Sequence, residues 1–279
     1  MKSLQGRVVV IAVGDSSLGR FLAFEFARVG ARVALWTHDL AAAQPTADFV
    51  RGEVPAVVVR TFEVDLCNSE SIEQAVASVQ RDLGGRIDVL VNNTDVLNGA
   101  PLLTATDESL KRTLAVNACA PMLATRAVLP QMLEANSGVL VHFGTSADAL
   151  GAPKLVDYCA SKFAVMGFHE ALRHELRDHF KGKKKKEVGI SMTLVRPALV
   201  MARGGANAVP EAARSLVPDI WMRPDTAAKM IVRAVRRSQA ELVLPPDFSM
   251  IAGLLAVLPD SLAVWVRKKL KLSSVMDGF

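Results

Sequence analysis

The stretch VVVIAVGDSSLGRFLAFEFARVGARVALW, Val8 to Trp36, decides the fold. Its first six residues, Val8 to Val13, are apolar and mostly β-branched, as in a strand buried on both faces. A turn of small residues follows. Leu18 to Val29 then carries apolar residues at helical spacing, with Gly30 as a stop signal. Arg32 to Trp36 is a second run of strand length. Strand, turn, helix and strand in that order form a βαβ unit, which requires parallel strands.

The alternation continues along the chain. Ala56 to Val64 reads as a third strand closed by Asp65, Ser71 to Leu83 as a helix, and Ile87 to Val91 as a fourth strand. Asp107 to Leu133 is a long helical stretch in which Pro121 and Pro130 predict a kink or break. Gly138 to Phe143 is a fifth strand, Val156 to Phe180 a long helix, and Ile190 to Val195 a sixth strand. Thr226 to Arg237 and Glu241 to Leu244 supply a last helix and a short last strand. The pattern predicts an α/β fold: a doubly wound (Rossmann) parallel sheet of about seven strands with helices on both faces. A chain of 279 residues fits one such domain, taken as 1–247, followed by an apolar-then-basic tail at 248–279.

Composition narrows the function classes. With 51% hydrophobic and 22% charged residues the chain is a packed globule, not a disordered one. Five lysines in KGKKKK, Lys181 to Lys186, account for the net charge of +5, and no aromatic platform accompanies them. Nucleic acid is therefore not an expected partner; the run reads as a solvated loop, with an anionic membrane surface as the competing reading. Cys67, Cys119 and Cys159 show no metal-ligand spacing, which favours reduced intracellular thiols. His142, His169, His174 and His179 form no ligand set, and the last three read as polar-face residues of one helix, so no metal site is expected. The N-terminal MKSLQGRVVVIAV lacks a signal-peptide shape. In the tail, FSMIAGLLAVLPDSLAVWVRKKLKL (Phe248 to Leu272), two apolar stretches flank Pro259 and Asp260, each too short to span a bilayer. That tail either covers a pocket or lies in a membrane interface.

The turn AVGDSSLGR, Ala12 to Arg20, stands where a dinucleotide-binding protein cradles pyrophosphate. Aligned on the TGxxxGIG variant of that loop, the three glycine positions hold Val13, Ser17 and Gly19. Val13 resists positive φ, although Gly14 can shift the turn by one residue. Ser17 adds a side chain where phosphate approaches, Asp15 adds a negative charge, and Arg20 offsets part of it. Gly14 to Gly19 also matches the GxxxxG of a nucleotide-hydrolase loop, but Arg20 and Phe21 replace the required Lys and Ser/Thr. A turn that merely joins strand to helix is the remaining alternative.

A second constellation lies at TSADALGAPKLVDYCASKFAVMGF, Thr145 to Phe168. Tyr158 is the one tyrosine of the chain, and Lys162 follows at i+4, on the same helical face. A cation beside a phenol lowers its pKa from about 10 toward working pH, which suits a general acid/base acting on an alcohol oxygen. Thr145, thirteen residues earlier and just past the fifth strand, offers a hydroxyl to the same oxygen. Asn117, on the long helix, is placed to hold a water against Lys162 and complete a proton path.

In YCASK, DVLVNN (Asp88 to Asn93), VDL ending at Leu66, Val116–Asn117 and VRP (Val195 to Pro197), the chain resembles the short-chain dehydrogenase/reductase family over roughly residues 5 to 245. LVDYCASKFAVMGFHEALRHEL and LVLPPDFS are most similar to members acting on retinoids, steroids and other lipophilic alcohols. The resemblance implies Tyr158 as proton donor and acceptor, Lys162 as its activator and ribose contact, Thr145 in place of the usual serine, and Asn117 completing the relay. For the cofactor it implies Gly14, Ser16, Ser17, Leu18 and Gly19 at the loop, and Thr37 and His38 after the second strand. It further implies Asp65, against the adenine, and Leu66. Asn92, Asn93, Thr94, Tyr158, Lys162, Pro197, Leu199 and Val200 complete the set. Besides the altered loop and Thr145, the family's NNAG reads Asn92, Asn93, Thr94, Asp95, so a carboxylate replaces a glycine beside the cofactor.

The resulting expectation is an NAD(P)-dependent oxidoreductase interconverting a lipophilic alcohol and its carbonyl. A non-catalytic relative serving in binding or as a scaffold is the alternative. An acidic residue at the end of the second strand would accept the ribose hydroxyls of NAD; Thr37 stands there, which leans the cofactor toward NADP, with Asp39 the counter-argument. The resemblance also implies a homodimer or homotetramer. The tail adds possible peripheral membrane contact, and hence a cytoplasmic location or the cytoplasmic face of a membrane, endoplasmic reticulum or lipid droplet in a eukaryote.

Overall fold

The computed structural model describes residues 3–145, 153–182, 188–197, 199–200, 221–246, 258 and 261–262. Its strands are β1 (Val8–Ala12), β2 (Arg32–Thr37), β3 (Val59–Glu63), β4 (Ile87–Asn92), β5 (Gly138–Phe143), β6 (Ile190–Pro197), the two-residue β7 (Leu199–Val200) and β8 (Trp221–Met222), and β9 (Glu241–Leu244). Seven of them form one parallel sheet in the order β3-β2-β1-β4-β5-β6-β9, and β7 pairs with β8 apart from it. The helices are α1 (Ser17–Arg28), α2 (Leu40–Glu53), α3 (Ser69–Leu83), α4 (Asp107–Leu114), α5 (Ala120–Glu134), α6 (Val156–His179) and α7 (Pro224–Arg236), with a π-helical turn at Ala115–Cys119.

The doubly wound sheet expected from the sequence is present, and β1 shows why it forms. Side chains alternate across a strand. Val9 and Ile11 join a core with Leu22, Phe26, Ile231 and Val235 of α1 and α7. Val8 and Val10 join a second core with Ile72, Val79, Val128 and Leu172 of α3, α5 and α6. Every β1 residue is buried. Strand order reverses between β1 and β4, so a crevice opens at the carboxyl ends of these strands, where ligands of open α/β sheets bind.

Four local differences have physical causes. The sequence reading assigns no element between Trp36 and Ala56, but α2 fills that span, capped by Asp39; Pro45 within it removes one donor and obscures the period. The first strand stops at Ala12, because Val13 takes φ 54°. The long stretch from Asp107 breaks at the π-helical turn, just before Pro121, which has no N–H to give to the Asn117 carbonyl four residues back. It does not break at Pro130, which sits inside α5.

The reading of His169 as a polar-face residue is corrected. His169 is buried and its Nδ1 lies 2.9 Å from Nδ1 of the fully buried His142, whose Nε2 contacts Thr125 Oγ1 at 3.1 Å. Thr125 Oγ1 in turn accepts from Asn92 Nδ2 at 3.2 Å. Burial pushes both imidazoles down, His142 to about 3 with His169 adding to it, and His169 to about 4 with Arg173 adding to it and Glu170 and Glu241 opposing.

Most of the lysine run and nearly all of the 248–279 tail lie outside the described residues. Among the described residues no helix is long and apolar enough to cross a membrane, no group of metal-ligating side chains gathers, and the three cysteines are free.

Candidate active site

The turn after β1 keeps a tight conformation with only two glycines. Val13 holds φ 54° where the fingerprint has its first glycine, a strained conformation costing on the order of 1–3 kcal/mol. Gly14 donates its N–H to the Trp36 carbonyl at 3.0 Å, and a Cβ on it would stand 2.8 Å from Leu35 Cβ. Ser16 caps α1: its Oγ accepts from the Gly19 N–H at 3.0 Å and donates to the Val13 carbonyl at 2.9 Å. Asn93 Nδ2 donates to the same Oγ at 2.8 Å, tying the turn to the end of β4. A Cβ on Gly19 would fall 2.5 Å from the Val13 carbonyl oxygen. Gly14 and Gly19 are thus fixed by packing, and the amino end of α1 presents its amides at the switch point, as anion sites do. Arg20 does not answer Asp15 directly; its guanidinium lies 4.1 Å over the Phe49 ring.

At the end of β2 the buried Thr37 donates its Oγ1 to the Asp39 carbonyl at 2.9 Å and accepts from the Asp39 N–H at 3.1 Å. The Asp39 carboxylate accepts from the N–H groups of Ala41 (2.8 Å) and Ala42 (3.3 Å), so it serves the start of α2. His38 is exposed beside it. Asp65 is exposed, its Oδ1 accepting from the Cys67 N–H at 2.9 Å, and Leu66 packs on the second core. Asn92 and Thr94 are buried, and Asn92 Oδ1 has no hydrogen-bond partner. Pro197 ends β6, and Leu199 and Val200 form β7. Ser17 and Leu18 open α1.

Tyr158 and Lys162 sit in the first two turns of α6, as the i, i+4 spacing requires. Lys162 is 2% exposed; its Nζ lies 5.4 Å from the Tyr158 ring centroid and donates to the Thr94 carbonyl at 3.0 Å. The same Nζ pairs with Asp95 Oδ1 at 3.0 Å. The sequence-based expectation that Lys162 draws the phenol toward neutral pH is corrected here. Tyr158 is raised well above the ordinary tyrosine value, by burial first, then by the Asp95 charge, with Cys159 adding to it. The Lys162 ammonium that was to act on the phenol is itself paired with the Asp95 carboxylate.

A polar scaffold fixes this group. Asp157 Oδ1 accepts from the Tyr158 N–H at 2.9 Å, and its Oδ2 accepts from Thr113 Oγ1 at 2.7 Å and Asn98 Nδ2 at 3.3 Å. That anchors the start of α6 to α4 and to the loop after β4. Asn117, fully buried in the π-helical turn, accepts from the Val96 N–H at 2.7 Å and donates to the Val96 carbonyl at 2.8 Å and to Ser161 Oγ at 3.1 Å. Its side chain therefore clamps the loop bearing Thr94 and Asp95. Thr145 is buried just past β5, its carbonyl accepting from Arg196 Nε at 3.4 Å.

Sequence reasoning missed Asp157, Thr113 and Ser161, which carry no motif signal. It noted Asp95 only as a departure from the family pattern; the charge at a glycine position was the available signal for its contacts.

A parallel sheet with its switch point at a glycine turn, and a Tyr–Lys pair bonded to the loop just past β4, define the class. The short chain dehydrogenase family model matches residues 7–203, and the chain belongs to that family of oxidoreductases. It is similar to retinol dehydrogenase 10-B of Danio rerio, with 34% identity covering all of this chain and 86% of that one. It is also similar to epidermal retinol dehydrogenase 2 of Mus musculus, with 31% identity and the same coverage. A solved metagenomic short-chain oxidoreductase in complex with NADP superposes with TM-score 0.69 and 25% identity, covering 87% of this chain and 97% of that one.

Proposed function

We propose that this protein interconverts a lipophilic alcohol and its carbonyl with a nicotinamide dinucleotide, using Tyr158 as the proton donor and acceptor. The observation carrying this is the buried Lys162 held beside the Tyr158 ring and bonded to the Thr94 carbonyl, just past the carboxyl end of β4. The relatives' names, retinol dehydrogenases, support a retinoid-like lipophilic alcohol as substrate, and the NADP complex of the structural neighbour supports the cofactor.

The residues present fit a dinucleotide. The amino end of α1 stands at the switch point, and Lys162 has three donors, of which the Thr94 carbonyl and Asp95 engage two. The α1 amides and Ser17 would receive the pyrophosphate, and Thr37, lacking a carboxylate, leaves room for a 2′-phosphate. When bound, the cofactor supplies the hydride. The chain's own part is to hold the substrate oxygen against the Tyr158 hydroxyl and Thr145, and to move one proton at Tyr158 Oη. The 248–279 segment is proposed as the substrate lid or membrane-interface segment, and 1–247 as the catalytic domain.

Tyr158→Phe tests the reading. With retinaldehyde and NADPH as probes, turnover should fall by about 10²–10⁴-fold while NADPH affinity by calorimetry stays unchanged. Equal turnover in both proteins refutes the role of Tyr158. Absence of NADPH and NADH binding to the unmodified protein leaves the non-catalytic alternative.

A further inference from the structure

We propose that Asp95 is a specificity-determining residue for the redox form of the cofactor: by neutralising Lys162 it favours the oxidised, cationic nicotinamide over the reduced one. The inference rests on the oxidoreductase reading above and deepens it by naming which form of the cofactor this residue selects.

The geometry is specific. Lys162 Nζ bridges two consecutive residues, donating to the Thr94 carbonyl at 3.0 Å and pairing with Asp95 Oδ1 at 3.0 Å. The loop that carries both is pinned, because the fully buried Asn117 accepts from the Val96 N–H at 2.7 Å and donates to the Val96 carbonyl at 2.8 Å. The two charges are buried unequally. The ammonium is 2% exposed, and the carboxylate, 54% exposed, stands at the rim. Together they sum to zero. With the glycine of the family pattern in place of Asp95, the same corner would carry one positive charge.

That sum bears on the cofactor. Hydride and proton go to neighbouring atoms of one substrate, the carbon and the oxygen of its C–O bond, so a nicotinamide that serves Tyr158 works beside it. Lys162 Nζ is 5.4 Å from the Tyr158 ring centroid, and Asp95 is one ion pair further on. The oxidised nicotinamide ring carries a positive charge and the reduced ring carries none. A bare ammonium repels that charge, whereas a neutral pair does not. The phosphates, riboses and adenine are identical in the two forms, so their contacts cancel in the ratio of the two affinities. Other charges near the centre cancel likewise, because a change at Asp95 leaves them in place: Asp157, engaged by Thr113 and Asn98, and Arg196, paired with Glu241. In an effective dielectric of about 20, one unit charge about 10 Å from another changes a binding constant roughly tenfold, and exposure of the carboxylate screens it below that. The effect is a difference between two binding equilibria and sets no rate.

The test needs no turnover. Calorimetry on the full-length protein at low ionic strength, where charges are least screened, gives the ratio of oxidised to reduced dissociation constants, with NADP and NADPH and with NAD and NADH as probes. Asp95→Asn removes the charge at constant shape and should raise that ratio at least about threefold. Asp95→Glu keeps the charge and should leave the ratio within about twofold of the unmodified protein. Equal ratios in the unmodified protein and Asp95→Asn overturn the inference. So does a ratio in Asp95→Glu that moves with that of Asp95→Asn, and so does loss of both forms by Asp95→Asn while the unmodified protein binds them. Binding of neither form by the unmodified protein overturns the oxidoreductase reading, and this inference with it.

Discussion

Acidification should unfold this protein through two buried histidines. His142 and His169 face each other inside the fold with Nδ1 atoms 2.9 Å apart, a contact that a neutral pair makes and two imidazolium ions cannot. Their folded values are about 3 and about 4, against 6.5 for a free imidazole. The sign is set by which state binds more protons. Below about pH 6.5 the unfolded chain protonates both rings while the folded chain protonates neither until near pH 4, so stability falls as pH falls across that window and is flat above it. Each histidine contributes about 1.4 kcal/mol per pH unit, so going from about pH 7 to pH 5 removes roughly 2 kcal/mol per ring, or about 4 kcal/mol for the pair. That is a large share of the roughly 5–15 kcal/mol by which domains are stable. Urea unfolding at pH steps between these limits measures it. His142→Gln keeps a partner for Thr125 and removes one titrating group, so the slope of unfolding free energy against pH should drop by about half. Equal slopes in the two proteins would refute the assignment.

Three further outcomes test the cofactor site and its frame. Gly19→Ala places a methyl 2.5 Å from the Val13 carbonyl oxygen and 2.9 Å from the capping Ser16 Oγ; calorimetry should show NADPH affinity down at least about tenfold, with about 1–3 kcal/mol lost from folding stability. Thr37→Asp restores a carboxylate at the end of β2, and the ratio of NADH to NADPH affinity should rise by about tenfold or more; an unchanged ratio would show that this strand end does not contact the ribose. Thr113→Val removes the donor to the Asp157 carboxylate at 2.7 Å and should destabilise the fold by about 1–3 kcal/mol, with kcat falling alongside because the start of α6 loses its anchor to α4.

The sequence by itself determined the frame of this protein. Runs such as Val8 to Ala12 are apolar at every position, and only a strand covered on both faces buries them all, so the parallel sheet and its helical layers follow from periodicity. The Tyr158–Lys162 spacing likewise dictates a shared helical face. Helix α2 was hidden because Pro45 and a weak apolar pattern mask its period. Tertiary structure alone decided what each site group touches. The turn could be read as altered, but not that Val13 would be held at φ 54° by the Ser16 and Asn93 hydrogen bonds around it. His169 lies on a helix whose neighbours are charged, and only the packing of α6 on β5 brings it against His142. Asp95 is separated from Lys162 by sixty-seven positions. Its effect on Tyr158 depends on distance and burial, which no local pattern encodes, because Coulomb and hydrogen-bond energies are set by where the chain folds back and not by how far apart residues stand along it.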